Sequence, residues 1–467
     1  MLFSGLPFLF YFLPLTLLLY FLTPKRGKNF VLLSASLFFY AWGEPKFIVF
    51  MLFSILAGYC SGILLEKNRA YPVRARWILI LSIAVSLALL GYCKYADFFL
   101  TTIASLTGRN IPLLGVVLPI GISFYTFQIL SYEVDVYRGD VTAQRNLIDL
   151  AAYIALFPQL IAGPIVRYAD IARELKDRSH TLDGITSGTV RFLIGLSKKV
   201  LIANVLYELI TTYKETVSPS VLFSWLYAIA CMLHIYFDFS GYSDMAIGLG
   251  RILGFSFPEN FNYPYISASV TEFWRRWHMT LGSFFRDYVY IPLGGNRVAK
   301  WKWIRNIIVV WMLTGLWHGA AWNFVLWGVY FAVFLLFEKL WFHKILDKSR
   351  VLRHVYVLLV IAVSFVLFDA DSVGAGFSQI GALFGIGAAS LVDSIGLYYL
   401  RSYAVILVAA ILGATPLPKT IVGRMAENRT GMRVLSIAQP IAMLGLCVLC
   451  TAYLVDGSFN PFLYFRF

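Results

Sequence analysis

Two histidines stand next to tryptophans, one in an apolar segment and the other in the longest polar interval of the chain. His318 lies in the sequence LTGLWHGAAW at residues 313–322, and His278 lies forty residues earlier in the sequence FWRRWH. Placing an imidazole in an apolar environment costs free energy, so each ring is either satisfied locally or required for chemistry. A neutral imidazole can take up a proton near physiological pH. The two residues are therefore candidates for general acid–base chemistry at a water-poor site.

Acidic side chains interrupt an apolar stretch upstream of the histidines. Asp238 and Asp244 lie in the sequence CMLHIYFDFSGYSDMAIGLG, which is long enough to span a bilayer. Carboxylates inside a membrane usually pair internally or mark a functional site. Asp238 follows His234 by four residues, so the two can share a helical face and pair, whereas Asp244 faces elsewhere. A pairing role for Asp238 and a capping or cavity-wall role for Asp244 stay open beside a role in catalysis.

Two arginines precede His278. Arg275 and Arg276 add positive charge to the segment, and Arg286 follows ten residues after the second of them. The guanidinium group matches the geometry of phosphates, so these residues could bind a phosphorylated donor. Contact with anionic lipid headgroups would need the same residues, and both interpretations remain open.

The composition assigns the whole chain to the membrane. Hydrophobic residues make up 59 % of the sequence, charged residues 14 %, and the mean hydropathy is +0.73. Soluble domains contain about 45–50 % apolar and about 25 % charged residues. We predict an all-α integral membrane protein with a single domain over residues 1–467, a motif-bearing catalytic part at about 110–345 and roughly 10–12 transmembrane helices. The apolar windows are 2–23, 29–43, 46–65, 76–93, 147–163, 220–250, 303–341, 352–369, 397–418 and 434–456.

The basic residues predict the orientation of the chain. Lys25, Arg26 and Lys28 follow the first apolar window, and a second basic group at 66–76 follows the third. Basic loops stay on the cytoplasmic side. We therefore predict a multi-pass protein of the inner, cytoplasmic membrane with its N-terminus outside. The net charge of +14 fits this topology and contact with anionic membrane lipids, and no nucleic acid partner is expected.

Local signals predict how the sequence presents His278. Ser269 and Glu272 form a capping-box pattern that starts a helix near Val270. On one uninterrupted helix reaching the sequence PLGG, Trp274 and His278 would share a stripe. We expect an amphipathic element at the cytoplasmic edge of a cavity.

His318 is expected on a second helix. There its face would carry Thr314, Gly315, Ala321 and Trp322, which are mostly small and would leave room beside the imidazole. In isolation, the pair of glycines around this histidine would more often form a helix-packing face.

Proline and glycine occur at membrane depth in two further segments, residues 111–128 and 157–167. Broken backbone is tolerated there only where it is buried in protein or lines a cavity. We predict interrupted helices at both places, with kinked helices that pack on their neighbours as the alternative to a cavity.

Six segments of the chain form a recognisable series. In order they are GISFYTFQILSYEVDVYRG (121–139), FPQLIAGPIVR (157–167), GLSKKVLIAN (195–204), IYFDFSGYSDMAIGLG (235–250), ENFNYPYISASVTEFWRRWHMTLGSFFRDYVYIPLGGNR (259–297) and GLWHGAAWNFVLWG (315–328). Through them the chain resembles the membrane-bound O-acyltransferase family, and within it the bacterial branch of the alginate O-acetyltransferase membrane subunit. The resemblance covers most of the first 345 residues.

The resemblance implies a fold and an activity. It implies helices around a funnel with two histidines near its deepest point: His318 from the family's WHG motif and His278 from its FWRRWH motif. Members pass an acyl group from a cytoplasmic thioester to a hydroxyl group, and the bacterial branch works with an extracytoplasmic hydrolase-like partner. For this chain the resemblance implies acetyl-CoA or another acyl thioester as the donor substrate, and that partner or a surface polysaccharide such as alginate as the acceptor. No tightly bound cofactor and no metal are expected.

Acyl transfer from a thioester requires proximity, a base for the hydroxyl proton and donors for the oxyanion. We expect His318 to be the base, because apolar surroundings favour its neutral ring, and His278 to orient the substrate or donate to the oxyanion. The tryptophans would wall the acyl group and exclude water. The candidate catalytic residues are His318 and His278, and the candidate substrate-binding residues are Trp274, Arg275, Arg276, Asp238, Asp244, Trp317, Trp322 and Asn323.

Other functions stay open at this stage. A D-alanyl group carried by a small protein could replace acetyl, with teichoic acid as the acceptor. A transporter or flippase would also place His and Asp in the membrane, but it should show inverted repeats, which the sequence lacks. A structural scaffold for cell-wall assembly would not need two histidines in an apolar site.

Overall fold

The computed structural model describes residues 1–342 and 349–457, and these are helical with no β-strand among them. The Cα positions divide the chain into two compact units. One unit consists of Met1–Phe192 with Met245–Pro258, and the other consists of Leu193–Asp244 with Glu259–Phe467. The all-α architecture is confirmed, and the single membrane domain stays a prediction.

Six helices of the described chain are long and apolar enough to cross a bilayer. A helix pair bent by 56° would make a seventh span. This is fewer than the ten to twelve helices predicted. The window 147–163 is divided between Leu147–Ala155 and Phe157–Leu160, and the helices Phe8–Leu22 and Lys28–Gly43 are shorter than a full span. The six are Pro45–Lys67, Pro72–Thr107, Val221–Ile252, Trp322–Phe342, Arg350–Asp369 and Arg429–Asp456, and the bent pair is Ser394–Ser402 with Ala404–Gly413.

The first unit is built on close helix contacts that small residues permit. Gly62 lies against the ring of Tyr132, and a Cβ at this glycine would clash with it. Beside them, the Ser61 hydroxyl donates to the buried carboxylate of Glu133 over 2.5 Å, which satisfies a polar group in an apolar interior. The α-helices that lie wholly in this unit are Leu13–Leu22, Lys28–Gly43, Ile48–Lys67, Pro72–Leu90, Ala96–Thr107, Ile122–Arg138, Leu147–Ala155, Phe157–Leu160 and Tyr168–Lys176.

The two segments with proline and glycine differ from each other. Residues 109–119 are not helical and are mostly exposed, so the first segment is a loop and the expected buried break is wrong there, whereas the second is interrupted and buried as predicted. The helix that carries Tyr125 begins only at Ile122, after Gly121 adopts a left-handed conformation with φ of 75°. The second segment forms the four-residue helix Phe157–Leu160 and then runs without helix through residues 161–166, which are buried. Both segments lie in the first unit.

The second unit contains both candidate catalytic histidines. The helix Arg429–Asp456 is almost wholly exposed along its apolar side chains, as expected for a surface that faces lipid. The α-helices of this unit are Asn204–Glu215, Val270–Arg276, Met279–Phe285, Lys300–His318, Trp322–Phe337, Arg350–Asp369, Val373–Leu383, Ser394–Ser402, Ala404–Gly413, Leu417–Ala426 and Arg429–Asp456. The long helix Val221–Ile252 enters it with residues up to Asp244, and Leu182–Ser197 enters it from Leu193 onward.

The helices Lys300–His318 and Trp322–Phe337 pack against each other through glycines. Gly315 lies against the Phe324 carbonyl and Gly328 lies against the Trp311 carbonyl, so that a Cβ at either glycine would collide with backbone. Small residues let helix backbones approach closely, which gains packing energy where lipid competes for the same surface. Gly315 therefore lies on a helix-packing face, which was the alternative interpretation of this glycine from the sequence.

Replacement of Gly328 by alanine should destabilise this helix pair. The new methyl group would push against the Trp311 carbonyl, and overpacking of this kind costs about 1–3 kcal/mol. Thermal unfolding in detergent, followed by tryptophan fluorescence, should show a lower midpoint for Gly328→Ala. The matched control is Gly445→Ala in the exposed helix, where nothing lies within 4 Å of the added atom and alanine favours the helix by about 1 kcal/mol. Equal midpoints for the two variants would contradict the packing role.

Candidate active site

His318 is the last residue of the helix Lys300–His318. The next residue, Gly319, has an extended backbone with φ of −165° and ψ of 151°, and a new helix begins at Trp322. The expected helical face with Ala321 and Trp322 beside the imidazole is therefore wrong. The chain leaves the helix directly after the histidine, so those two residues do not continue its face.

Aromatic rings surround the His318 imidazole. Its ring centroid lies 5.0 Å from Trp317, 5.1 Å from Trp327 and 5.4 Å from Phe368. The ring of His278 lies 6.4 Å away, and the His318 residue is 6 % exposed. The expectation that small residues surround His318 is therefore wrong. The rings that surround it include Trp327 and Phe368, which belong to other helices and cannot be found from the sequence spacing around His318. The two histidines do meet, as expected.

His278 lies at a break between two short helices. The helix start predicted from the capping-box pattern is confirmed. The helix begins at Val270, and the Ser269 hydroxyl accepts from the Glu272 backbone N–H over 3.0 Å. However, the helix ends at Arg276, and His278 takes a left-handed conformation with φ of 44° before the helix Met279–Phe285 begins. The predicted uninterrupted helix with Trp274 and His278 on one stripe is therefore wrong.

The His278 ring is enclosed. The residue is 1 % exposed, and its ring centroid lies 4.6 Å from Phe239 and 5.8 Å from Trp317. Its Nδ1 lies 3.1 Å from the side-chain oxygen of Asn260, and its Nε2 has no hydrogen-bond partner in the described chain. Burial, together with the nearby His318, lowers the pKa of His278 well below its ordinary value. The ring is therefore neutral at physiological pH.

A cavity of about 710 Å³ reaches His278. This volume falls within the range of about 300–1,000 Å³ that is typical of small-molecule sites. The lining includes exposed residues such as Arg275 and Arg286 as well as the buried histidine, so it leads from the surface to the imidazole. Its lining includes Thr314, one helical turn before His318, but does not include His318, whose ring lies 6.4 Å from that of His278.

The two arginines of the FWRRWH sequence have different positions. Arg276 forms an ion pair with Glu272 at 2.9 Å and donates to the Asn262 carbonyl over 3.2 Å. Arg275 is exposed and lines the cavity together with Arg286 and Lys339. Of the candidate pair, Arg275 is thus placed where a ligand in the cavity could meet it.

The candidate tryptophans and Asn323 are divided as well. Trp274 lines the cavity, and its ring lies 5.6 Å from that of Trp327, which contacts His318. Trp317 is buried and contacts the rings of both histidines. By contrast, Trp322 is 52 % exposed, and the Asn323 side chain donates to the Ala370 carbonyl over 3.0 Å. The structure brings Trp274 and Trp317 to the histidines but places Trp322 outside the cavity wall.

Both candidate aspartates pair with lysines. Asp238 forms an ion pair with Lys199, and these side chains are 1 % and 2 % exposed. Asp244 pairs with Lys198 over 2.6 Å in a more open position. The Nδ1 of His234, the residue that could share a helical face with Asp238, contacts the Ala203 carbonyl at 2.9 Å, and its Nε2 has no hydrogen-bond partner among the described residues. Asp238 is nevertheless next to Phe239, which contacts His278.

Lys198 and Lys199 were not predicted as partners of the aspartates, although two adjacent lysines in the apolar sequence GLSKKVLIAN are a signal for such pairs, because membrane carboxylates require partners. A buried group around Asp369 was not predicted either. The Asp369 carboxylate lies 2.8 Å from Lys214 Nζ and accepts from the Tyr227 hydroxyl over 3.0 Å. This group holds the chain next to Phe368, against which His318 packs. In residues 1–342 and 349–457, no group of three or more His, Cys, Asp or Glu side chains is arranged to hold a metal ion.

Comparison with known proteins finds a matching family model and several similar relatives. Residues 140–373 match the model of the membrane-bound O-acyltransferase family, and this range contains every candidate site residue. The probable alginate O-acetylase AlgI of Azotobacter vinelandii is 40 % identical over the full length of both chains. The peptidoglycan O-acetyltransferase of Helicobacter pylori is 33 % identical over 84 % of this chain and 81 % of its own. The teichoic acid D-alanyltransferase of Bacillus subtilis is 32 % identical over 47 % of this chain and 60 % of its own.

Removal of the Lys199 ammonium group should destabilise the second unit more than removal of Lys198. A Lys199→Met variant leaves the buried Asp238 carboxylate without its ion pair, a change that costs about 3–5 kcal/mol. Lys198→Met is the matched control, since its pair with Asp244 retains contact with solvent. Thermal midpoints in detergent should fall clearly for Lys199→Met and slightly for Lys198→Met. A Lys199→Met protein as stable as the control would refute the role assigned to this pair.

Proposed function

Because the chain belongs to the membrane-bound O-acyltransferase family and is thus a multi-pass membrane O-acyltransferase, we propose that it moves an acetyl group from acetyl-CoA, a cytoplasmic thioester, to an extracytoplasmic hydroxyl group. The hydroxyl belongs to a hydrolase-like partner protein or to a surface polysaccharide such as alginate. The protein lies in the cytoplasmic membrane with its N-terminus outside, in contact with membrane lipids. The cavity that leads from exposed Arg275 to buried His278, whose ring lies 6.4 Å from that of His318, is the observation that carries this proposal.

The walls of the cavity suit a thioester donor. The apolar end is formed by side chains such as Trp274, Leu281 and Phe285, which would keep water from the activated acyl group. The outer part carries Arg275, and its guanidinium group suits the phosphates of CoA.

The transfer step needs one base. The hydroxyl oxygen attacks the thioester carbonyl carbon, the C–O bond forms, and the C–S bond breaks as the tetrahedral intermediate collapses. In this proposal His318 takes the hydroxyl proton, which then passes to the leaving thiolate to give free CoA. Aromatic rings around His318 favour the neutral imidazole that this role requires. His278 orients the substrate or donates to the oxyanion.

D-alanyl transfer is the second function considered. The teichoic acid D-alanyltransferase of Bacillus subtilis matches 47 % of this chain, whereas O-acetylating relatives match most or all of it. This difference favours acetyl as the acyl group and acetyl-CoA as the donor. A transporter or flippase would share the buried histidines and aspartates, but it should show inverted repeats, which the sequence lacks.

Substitution of His318 by alanine should abolish most acetyl transfer. General-base catalysis contributes about 10²–10⁴ in rate, so release of free CoA from acetyl-CoA, measured with the acceptor present, should fall by that factor. The matched control is His354→Ala, because this histidine lies in the same unit and contacts the Ser267 carbonyl away from the cavity. Transfer by purified His318→Ala protein at the wild-type rate would refute its assignment as the base.

Substitution of Arg275 by alanine should weaken donor binding. Loss of a charged hydrogen bond costs about 1.5–3 kcal/mol, which raises KM for acetyl-CoA about tenfold or more. The effect should disappear with S-acetylpantetheine, which lacks the phosphates. Arg276→Ala is the matched control and should leave KM nearly unchanged, since this side chain is held by Glu272. Equal effects on both donors would show that Arg275 does not contact the phosphates.

A further inference from the structure

The Asn260 side chain is held in one orientation beside His278. Its oxygen accepts from the Thr280 backbone N–H over 3.3 Å and from the Thr280 hydroxyl over 2.9 Å. Its nitrogen lies 3.1 Å from the Ser243 hydroxyl oxygen, to which it donates. A backbone N–H can only donate, so the atom that faces it must be the amide oxygen. The same oxygen is the one that lies 3.1 Å from His278 Nδ1.

This orientation determines where the imidazole carries its proton. A carbonyl oxygen only accepts hydrogen bonds, so Nδ1 must be the protonated nitrogen that donates to Asn260. A neutral imidazole has one N–H group, and its other nitrogen is then an acceptor. Nε2 of His278, which has no hydrogen-bond partner in the described chain, is thus the nitrogen with the free lone pair.

We propose that Asn260 is a positioning residue that holds His278 in the neutral Nδ1–H tautomer, so that Nε2 accepts a hydrogen bond from an N–H or O–H group of the bound substrate. The hydrogen bond from the substrate to Nε2 rests on the proposed function, whereas the assignment of the tautomer is independent of it. Two roles were open to His278, orientation of the substrate and donation to the oxyanion, and this tautomer fits the first of them. A neutral ring in this tautomer has no N–H at Nε2 with which to stabilise an oxyanion.

The backbone around Asn260 reinforces this arrangement. Its carbonyl accepts from the Met279 N–H over 3.0 Å, directly after the histidine, and the Asn262 N–H donates to the Arg276 carbonyl over 2.9 Å, shortly before it. These bonds hold both sides of the left-handed turn at His278. The segment therefore fixes the position of the imidazole as well as its proton.

The charged groups near His278 favour the neutral ring. The helix Val221–Ile252 presents Phe239, and its nearby carboxylate, Asp238, is paired with Lys199. The helix Lys300–His318 presents His318, which is the titratable group that acts on His278 within the described chain. A carboxylate in place of the Asn260 amide would reverse this situation, because an opposite charge stabilises the imidazolium.

The tautomer can be measured directly by NMR of protein labelled with ¹⁵N-histidine in detergent, without substrate. The His278 signals, assigned by their loss in His278→Gln, should show a protonated Nδ1 and an unprotonated Nε2. Asn260→Ala should abolish this pattern, and Asn260→Asp should give a ring protonated at both nitrogens at neutral pH.

The matched control is Asn306→Ala, which removes an equally buried amide that donates to the Leu293 and Gly295 carbonyls, and it should leave the His278 signals unchanged. A wild-type ring protonated at Nε2, or signals unaffected by Asn260→Ala, would overturn the proposal.

Activity measurements separate this proposal from the proposed function. The pH dependence of kcat/KM should be recorded between about pH 5 and 9. As the pH is lowered, kcat/KM of Asn260→Asp should begin to fall at a higher pH than that of wild type, because a carboxylate raises the pKa of the imidazole. At neutral pH, transfer by this variant should be reduced about tenfold or more. An unchanged profile, in a variant whose NMR signals do show the doubly protonated ring, would refute the acceptor role of Nε2. If His278→Gln also transfers acetyl at the wild-type rate, then His278 has no part in the proposed reaction, even though Asn260 sets its tautomer.

Discussion

The site depends on the left-handed turn at His278. An L-residue pays about 1–2 kcal/mol for this conformation, so the surrounding chain must hold it. Hydrogen bonds from the segment around Asn260 reach the backbone on either side of the turn. A continuous helix would have carried the imidazole along the stripe of Trp274. The break instead places it against Phe239 and Trp317, at the inner end of the cavity.

The enclosure around the two histidines is apolar, and the charges near it are neutralised in pairs. The carboxylate of Asp238 lies next to Phe239 in sequence but is compensated by Lys199, and that of Asp369 is compensated by Lys214. Electrostatic interactions are stronger where water is excluded, so an unpaired carboxylate here would stabilise an imidazolium and weaken a base. The buried ion pairs therefore protect the chemistry of the histidines as well as the fold.

Much of this arrangement could be predicted from the sequence, but only where the determinants are local. Composition predicts the helical membrane class, and the capping-box pattern predicts the helix that begins at Val270. The break at His278 could not be predicted, because its determinants come from Asn260, eighteen residues away, and from residues on other helices. The same holds for the aromatic rings around His318, among them Phe368, and for the choice of Lys199 as the partner of Asp238. Contacts between distant segments decide which of several polar residues meet.

A cryo-EM structure of the protein with a non-hydrolysable acetyl-CoA analogue tests the assigned site most directly. We predict that the acyl carbon lies within about 4 Å of a ring nitrogen of His278 or His318, with the pantetheine chain running along the cavity past Gly282 and the phosphates near Arg275. An analogue bound elsewhere, with the cavity beside His278 still empty, would contradict it.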